Sequence, residues 1–237
     1  MSGETSRDEW KIARAAVLDF VKSALPGTQL ALVTFAADVQ ERTELSKDSQ
    51  AITLWLNSNS GNERSDPRGP TALLESVLKA LRKLQPIQPG DAIFAVTDGE
   101  DNSSRKESAR RLKDALQGIR LFAFLLEDEF YGAVVDMRAE FFEMAKDSGG
   151  FTTGLKQART GPFSHYVYDD RAEAIIKASA QIVNAQISDY YLLSLDPTAH
   201  RSTTEGLKVE AIDENGRVRK NVTVTYPHHL MPCASNQ

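Results

Sequence analysis

The chain has 237 residues, 28 basic and 33 acidic, for a formal net charge of −5. That length suits one domain with an appendage or two small ones, and that charge supplies no basic stripe for nucleic acid. The hydrophobic fraction of 41% allows a sizeable core, the single cysteine, Cys233, can form neither an internal disulfide nor a thiolate metal site, and no apolar run reaches the ~20 residues that span a bilayer.

Met1–Asp8 is polar and lacks the charged-then-apolar pattern of a signal peptide. Ser6-Arg7-Asp8-Glu9 reads as a capping box, with Ser6 as the cap. Trp10, Ala13, Val17, Val21 and Leu25 then recur at helical spacing until Pro26-Gly27 stops the helix. Gln29–Phe35 is a nearly continuous apolar run, as expected of a strand buried on both faces. Val39–Leu45 alternates and reads as a neighbouring edge strand, and Asp48–Leu56 as a short helix.

The polar segment Asn57–Pro70 reads as a loop that delivers Thr71 to a strong helix, Thr71–Leu84. Asp91–Thr97 is the clearest buried strand, and Asp98-Gly99 ends it. A basic helix runs from Ser103 or Ser104 to Gln117, and Ile119–Leu126 is the next buried strand. Strands alternating with helices predict an α/β fold: a doubly wound, mostly parallel sheet with helices on both faces. In such sheets ligands bind beyond the carboxyl ends of the strands, where Asp98 sits.

The second half keeps the rhythm less cleanly. Met137–Lys146 is predicted helical, Tyr166–Tyr168 a short strand, and Asp170–Ile187 a helix with Ala174, Ile175, Ala178 and Ile182 on its apolar face. Tyr190–Leu195 reads as strand. Leu207–Asp213 and Arg217–Tyr226 flank Asn215-Gly216, a type I′ signal, and predict a C-terminal β-hairpin. The expected division is residues 1–188 as the main domain, 189–227 as a β extension and 228–237 as a tail.

Three loops collect at one edge of this sheet. They are Ser2-Gly3-Glu4, Gly69-Pro70-Thr71-Ala72-Leu73 and Thr97-Asp98-Gly99-Glu100-Asp101-Asn102-Ser103. They offer hydroxyls and carboxylates but no histidine, cysteine or lysine. Such a hard-oxygen set suits Mg²⁺ with water filling the remaining octahedral positions. It does not suit zinc or a serine–histidine nucleophile.

In these residues the chain resembles a von Willebrand factor type A domain. That family carries a metal-ion-dependent adhesion site made of an Asp-x-Ser-x-Ser loop, a later threonine and an aspartate in a Thr-Asp-Gly strand end. Thr71 matches the threonine and Asp98 the distal aspartate. Ser2 aligns with the first serine of the loop, and Glu4 replaces the second. The resemblance places the first aspartate and the first strand before Met1, which would leave Gln29–Phe35 and Asp91–Thr97 without a shared partner. Three outcomes are open: a true start upstream, where an export leader would also lie, a gap filled by another chain, or an unstable product. Localisation is left open. The tail, with Tyr191, Leu195 and Pro197, resembles the Tyr-x-Leu-x-Tyr-x-Pro ending of the VWFA-related family of Acidobacteria, with Leu195 at the second tyrosine position.

The resemblance implies a protein-binding module without catalysis. Ser2, Glu4, Thr71 and Asp98 would form a partial site for Mg²⁺, with Mn²⁺ or Ca²⁺ as substitutes, and the ion would take a carboxylate from a protein partner. Glu4 in place of a serine keeps a metal-independent interaction domain as the alternative. A Mg²⁺-dependent hydrolase ranks third, because the chain shows no Walker-type phosphate loop and no evident base.

Plainer roles compete at each position. Asp98 alone reads as a turn residue and Thr71 alone as a helix cap. Glu100 and Asp101 read as solvated or helix-dipole carboxylates. His165, His200, His228 and His229 share no ligand spacing and read as surface residues, whereas Trp10 and Trp55 read as core residues on helices.

Overall fold

A computed structural model describes residues 5–36, 38–58, 71–105, 108–116, 118–128, 135–157, 168–192 and 208–227. In chain order the elements are α1 (Thr5–Ser23), β1 (Val33–Phe35), β2 (Val39–Glu41), α2 (Gln50–Ser58), α3 (Leu73–Lys83) and β3 (Ala92–Thr97). Then follow α4 (Ser108–Ala115), β4 (Arg120–Asp128), α5 (Val135–Asp147), β5 (Thr152–Gln157) and α6 (Asp170–Ser188).

β4 is the middle of the main sheet because its run Leu121–Leu126 is apolar on both faces and is buried throughout. β3 joins it in parallel, Ala92 opposite Arg120 and Thr97 opposite Leu125. β5 joins its other edge in parallel, from Ala123 opposite Thr152 to Asp128 opposite Gln157. Helices cover both faces. Leu73 and Val77 of α3, Leu112 of α4 and Phe141 of α5 pack on Ile93, Leu121 and Leu125. Ile12 and Ala16 of α1 and Ile176 of α6 pack on Phe124, Leu126 and Leu155 on the other face. The α/β architecture with parallel strands between helical layers is therefore as expected.

β1 and β2 form a separate antiparallel pair, Val33 opposite Glu41 and Phe35 opposite Val39. The predicted strand Gln29–Phe35 is shorter than its apolar run: only its last three residues are strand, and Leu30 makes a lone bridge to Ser46. β5 is an element that the sequence pattern does not predict. Its sequence TTGLKQ lacks a strong apolar run, and its place rests on close backbone approach instead. A Cβ on Gly154 would fall 2.3 Å from the Leu125 carbonyl oxygen.

Several expected faces rotate. α1 begins at Thr5, so Ser6 lies inside the helix and not ahead of it. Its deepest residues are Ile12 and Ala16, while Trp10, Val17 and Leu18 lean on Ile52 and Leu56 of α2. Leu25 lies past the helix and is exposed. The buried side of α6 is Ala172, Ile176, Ala180 and Val183, leaving Ala174, Ala178 and Ile182 exposed. The helix carries two adjacent apolar stripes, and contact with α1 selects the one that the periodicity alone does not favour.

The C-terminal hairpin is weaker than expected. Asp213 accepts from the amides of both Gly216 and Arg217 through different oxygens, and one bridge joins Ile212 to Val218. Among the described residues no non-glycine has positive φ, so Asn215-Gly216 is not a type I′ turn; only Gly216, at φ 75°, is left-handed. Tyr190–Leu192 is irregular, not strand, and Tyr191 is 93% exposed. The remainder of that predicted strand lies outside the described residues, as do Tyr166 and Val167 of the short one and all four histidines.

Candidate functional site

The site is built where β3 ends. Buried Thr97 closes the strand, and its hydroxyl accepts from the Gly99 amide at 3.0 Å. Gly99, at φ 81°, adopts the left-handed turn that a side chain would oppose. Asp98 is thereby held at the strand's carboxyl end. Its Oδ1 accepts from the Glu100 amide at 3.0 Å and from the Thr97 hydroxyl at 3.4 Å. Neither of these bonds uses Oδ2.

Thr71 is brought to the same loop across 31 residues of sequence. Its amide donates to Asn102 Oδ1 at 2.5 Å, and its carbonyl accepts from the amides of Asn102 and Ser103, both at 3.0 Å. The next residue is tied to the end of β1: the Ala72 amide donates to the Ala36 carbonyl at 2.9 Å. These bonds hold Thr71 by its backbone and leave its hydroxyl outside the network.

Thr71 is not the cap of α3. The N-cap position is Ala72, which has no side-chain acceptor. The loop after Asp98 supplies the missing acceptors. Asp101 Oδ2 accepts from the Leu74 amide at 2.7 Å, and Ser104 Oγ from the Glu75 amide at 3.1 Å. Asp101 Oδ1 also accepts from the amides of Ser104 (2.8 Å) and Ser103 (3.3 Å). Glu75 is tied in turn, its carboxylate accepting from the buried Ser108 hydroxyl at 2.6 Å.

Asp101 thus performs the helix-dipole role expected of it, but for α3 rather than for the helix that follows it. The parts played by Asn102 and Ser104 are not predicted from the sequence. A signal exists: Asp-Asn-Ser-Ser is a run of capping residues, and α3 starts on an alanine that cannot cap itself.

Of the four residues expected to form a metal site, the structure brings Thr71 and the Asp98 loop together. Ser2 and Glu4 lie outside the described residues. The donor set at hand is one carboxylate oxygen and one hydroxyl, both hard, at an edge that carries three carboxylates in the run Asp98 to Asp101. That chemistry fits Mg²⁺ as part of an octahedral shell in which water supplies the remainder. Among the described residues no three His, Cys, Asp or Glu side chains converge. Asp101 is spent on α3, which leaves Asp98 as the strand-end carboxylate available to a cation.

A family model described as the von Willebrand factor type A domain matches residues 1–153. No curated protein matches. Solved structures do, at low identity. A von Willebrand factor type A protein from Catenulispora acidiphila is 15% identical with a TM-score of 0.54, covering 76% of this chain and 38% of that one. An aerotolerance-related membrane protein from Bacteroides fragilis is 16% identical with a TM-score of 0.53, covering 76% of this chain and 88% of that one. A variant of the PilB minor pilin from Streptococcus sanguinis is 12% identical with a TM-score of 0.52, covering 75% of this chain and 54% of that one. The chain thus spans well under half of the first of these and about half of the third.

Proposed function

Because this chain belongs to the von Willebrand factor type A family, whose domains generally serve as interaction modules, we propose that it binds a protein partner through the carboxyl end of β3. In this reading Thr71 and Asp98 hold Mg²⁺, with Mn²⁺ or Ca²⁺ as substitutes, and Ser2 and Glu4 add to a shell of which these four residues supply only a part. The bound ion would offer an open position to a carboxylate on the partner. A cation ligated mainly by hydroxyls and water stays under-neutralised, so an incoming anion is attracted strongly at short range. Binding of this kind makes and breaks no covalent bond.

The observation that carries the reading is the division of labour at the edge. Backbone bonds and Asp101 hold the loops in place, while the Thr71 hydroxyl and one Asp98 oxygen are left over. A second reading rests on the same division. Since Asp101, Asn102 and Ser104 already shape the edge, it can keep its form without an ion and bind a partner metal-free.

A thermal melt separates the two. At Mg²⁺ a hundredfold above its dissociation constant, linkage stabilises the fold by ~2.7 kcal/mol. The melting temperature is expected to rise with Mg²⁺, to return with EDTA, and to be indifferent to Mg²⁺ in Asp98→Ala. An unchanged melt in the parent chain would retire the metal claim. Partner binding unaffected by EDTA would then favour the metal-free reading.

A further inference from the structure

The cations of α3 and α4 fall into two groups. Toward β2 they are paired: Lys83 reaches Glu41 at 2.7 Å and Glu44 at 3.0 Å, and Lys79 reaches Glu41 at 3.5 Å. Toward α4 they are not. Among the described residues Arg82, Arg110, Arg111 and Lys113 have no ion pair. The Glu75 carboxylate, which α3 extends toward α4, already accepts from the Ser108 hydroxyl. A chain with a net charge of −5 thus keeps uncommitted cations on two neighbouring helices.

Two of these cations border a groove. It runs along the C-terminal halves of α3 and α4 and encloses about 420 Å³. Buried Leu78 and Leu81 of α3 form its apolar floor, and the small Ala115 of α4 leaves room beside them. Arg82 and Gln85 line it from the α3 side and Arg111 from α4, all three exposed. Arg111 and Ala115 share a face of α4 because they stand four residues apart. A guanidinium presents a planar fork of donors that fits a carboxylate through two parallel bonds. Asp114 also borders the groove. Its charge sets the groove against a uniform polyanion, but not against a peptide that mixes carboxylates with apolar side chains.

We propose that this groove docks a short acidic segment of a partner protein. An apolar side chain of the segment seats on Leu78 and Leu81, and its carboxylates pair with Arg82 and Arg111. Charge complementarity names the carboxylates, and the apolar floor names what lies between them. Arginine beside a shielded apolar contact is a favoured centre of protein interfaces. The Asp98 loop meets α3 at its amino end, through Leu74 and Glu75, so the groove and the proposed metal edge are separate surfaces.

The test uses the full chain in EDTA, which removes any contribution from Mg²⁺. The probe is a fluorescein-labelled peptide, Ser-Asp-Glu-Leu-Leu-Glu-Glu-Leu-Ser, read by fluorescence anisotropy. It is expected to bind, and less tightly as NaCl is added. The same peptide with amides in place of its carboxylates is expected to bind at least about tenfold more weakly. The acidic peptide should lose as much against the double variant Arg82→Gln, Arg111→Gln. The double variant Arg110→Gln, Lys113→Gln removes equal charge outside the groove and should cost less than about threefold. All four side chains are exposed, so both variants should melt as the parent chain does. The amide peptide tests the charges from the partner's side, so a folding defect in a variant does not decide the result. Absence of binding overturns the proposal, as does equal binding of the amide peptide. Equal loss in the two double variants, or equal affinity for inorganic polyphosphate, also overturns it, since either would mark a general attraction for anions.

Discussion

The two ends of the parallel sheet handle their polar groups in opposite ways. At the amino end Arg120 donates to the carbonyls of Gln186 at 2.6 Å, Ile187 at 3.0 Å and Gly90 at 3.4 Å, closing the end of α6. Its guanidinium lies 5.1 Å from the Tyr190 ring and 5.6 Å from that of Phe122. Burial lowers its pKa from the usual guanidinium value, partly offset by Tyr190. The Ser148 hydroxyl accepts from the Leu121 amide and donates to the Ala145 carbonyl. There the polar groups are consumed in holding the fold. At the carboxyl end Asp101 is consumed in the same way, but Asp98 and Thr71 keep oxygens in reserve. Charge alone therefore does not mark a binding edge. In the proposed reading, what marks it is charge that the fold has no use for.

Three substitutions sharpen that contrast. The largest effect is expected at the amino end. A Cβ on Gly150 would fall 1.9 Å from the Leu121 carbonyl oxygen, a backbone atom that cannot yield without separating β5 from β4. Gly150→Ala should destabilise by ~3 kcal/mol in urea denaturation and leave any Mg²⁺ response of the folded fraction intact. Asp101→Ala comes next. It uncaps α3 and releases the loop, at ~1–2 kcal/mol, and it should also weaken the Mg²⁺ response by loosening Thr71. Asp98→Ala is smallest for stability. In EDTA it should cost ~0.5 kcal/mol, because the residue holds little but its own turn. If Asp98→Ala proved the most destabilising of the three, the division between spent and unspent carboxylates would collapse.

The frame is legible where side-chain chemistry decides it. The apolar runs at Asp91–Thr97 and Ile119–Leu126 correspond to β3 and β4 within a residue or two at each end, and the helix after Thr71 is found for the same reason. Thr71 and Asp98 stand out in the sequence because a strand end and a helix start are local events. What the sequence hides is tertiary. β5 depends on glycine packing under β4, the burial face of α6 on its contact with α1, and the cap of α3 on a residue 27 positions away. Gln29–Phe35 reads like a fully paired strand, but among the described residues only Val33–Phe35 finds a ladder, and on one side.

Both the reserve at Asp98 and its absence at Arg120 can be read in one experiment. Mn²⁺ broadens amide resonances near its binding site, so a titration followed by two-dimensional NMR compares the two ends within one sample. Selective loss of the Thr71, Gly99 and Glu100 signals is expected at substoichiometric Mn²⁺, with Gly90 and Asp189 untouched and the effect absent in Asp98→Ala. Broadening that spared Thr71 and Gly99, or that struck both ends alike, would contradict a cation site at the carboxyl end of β3.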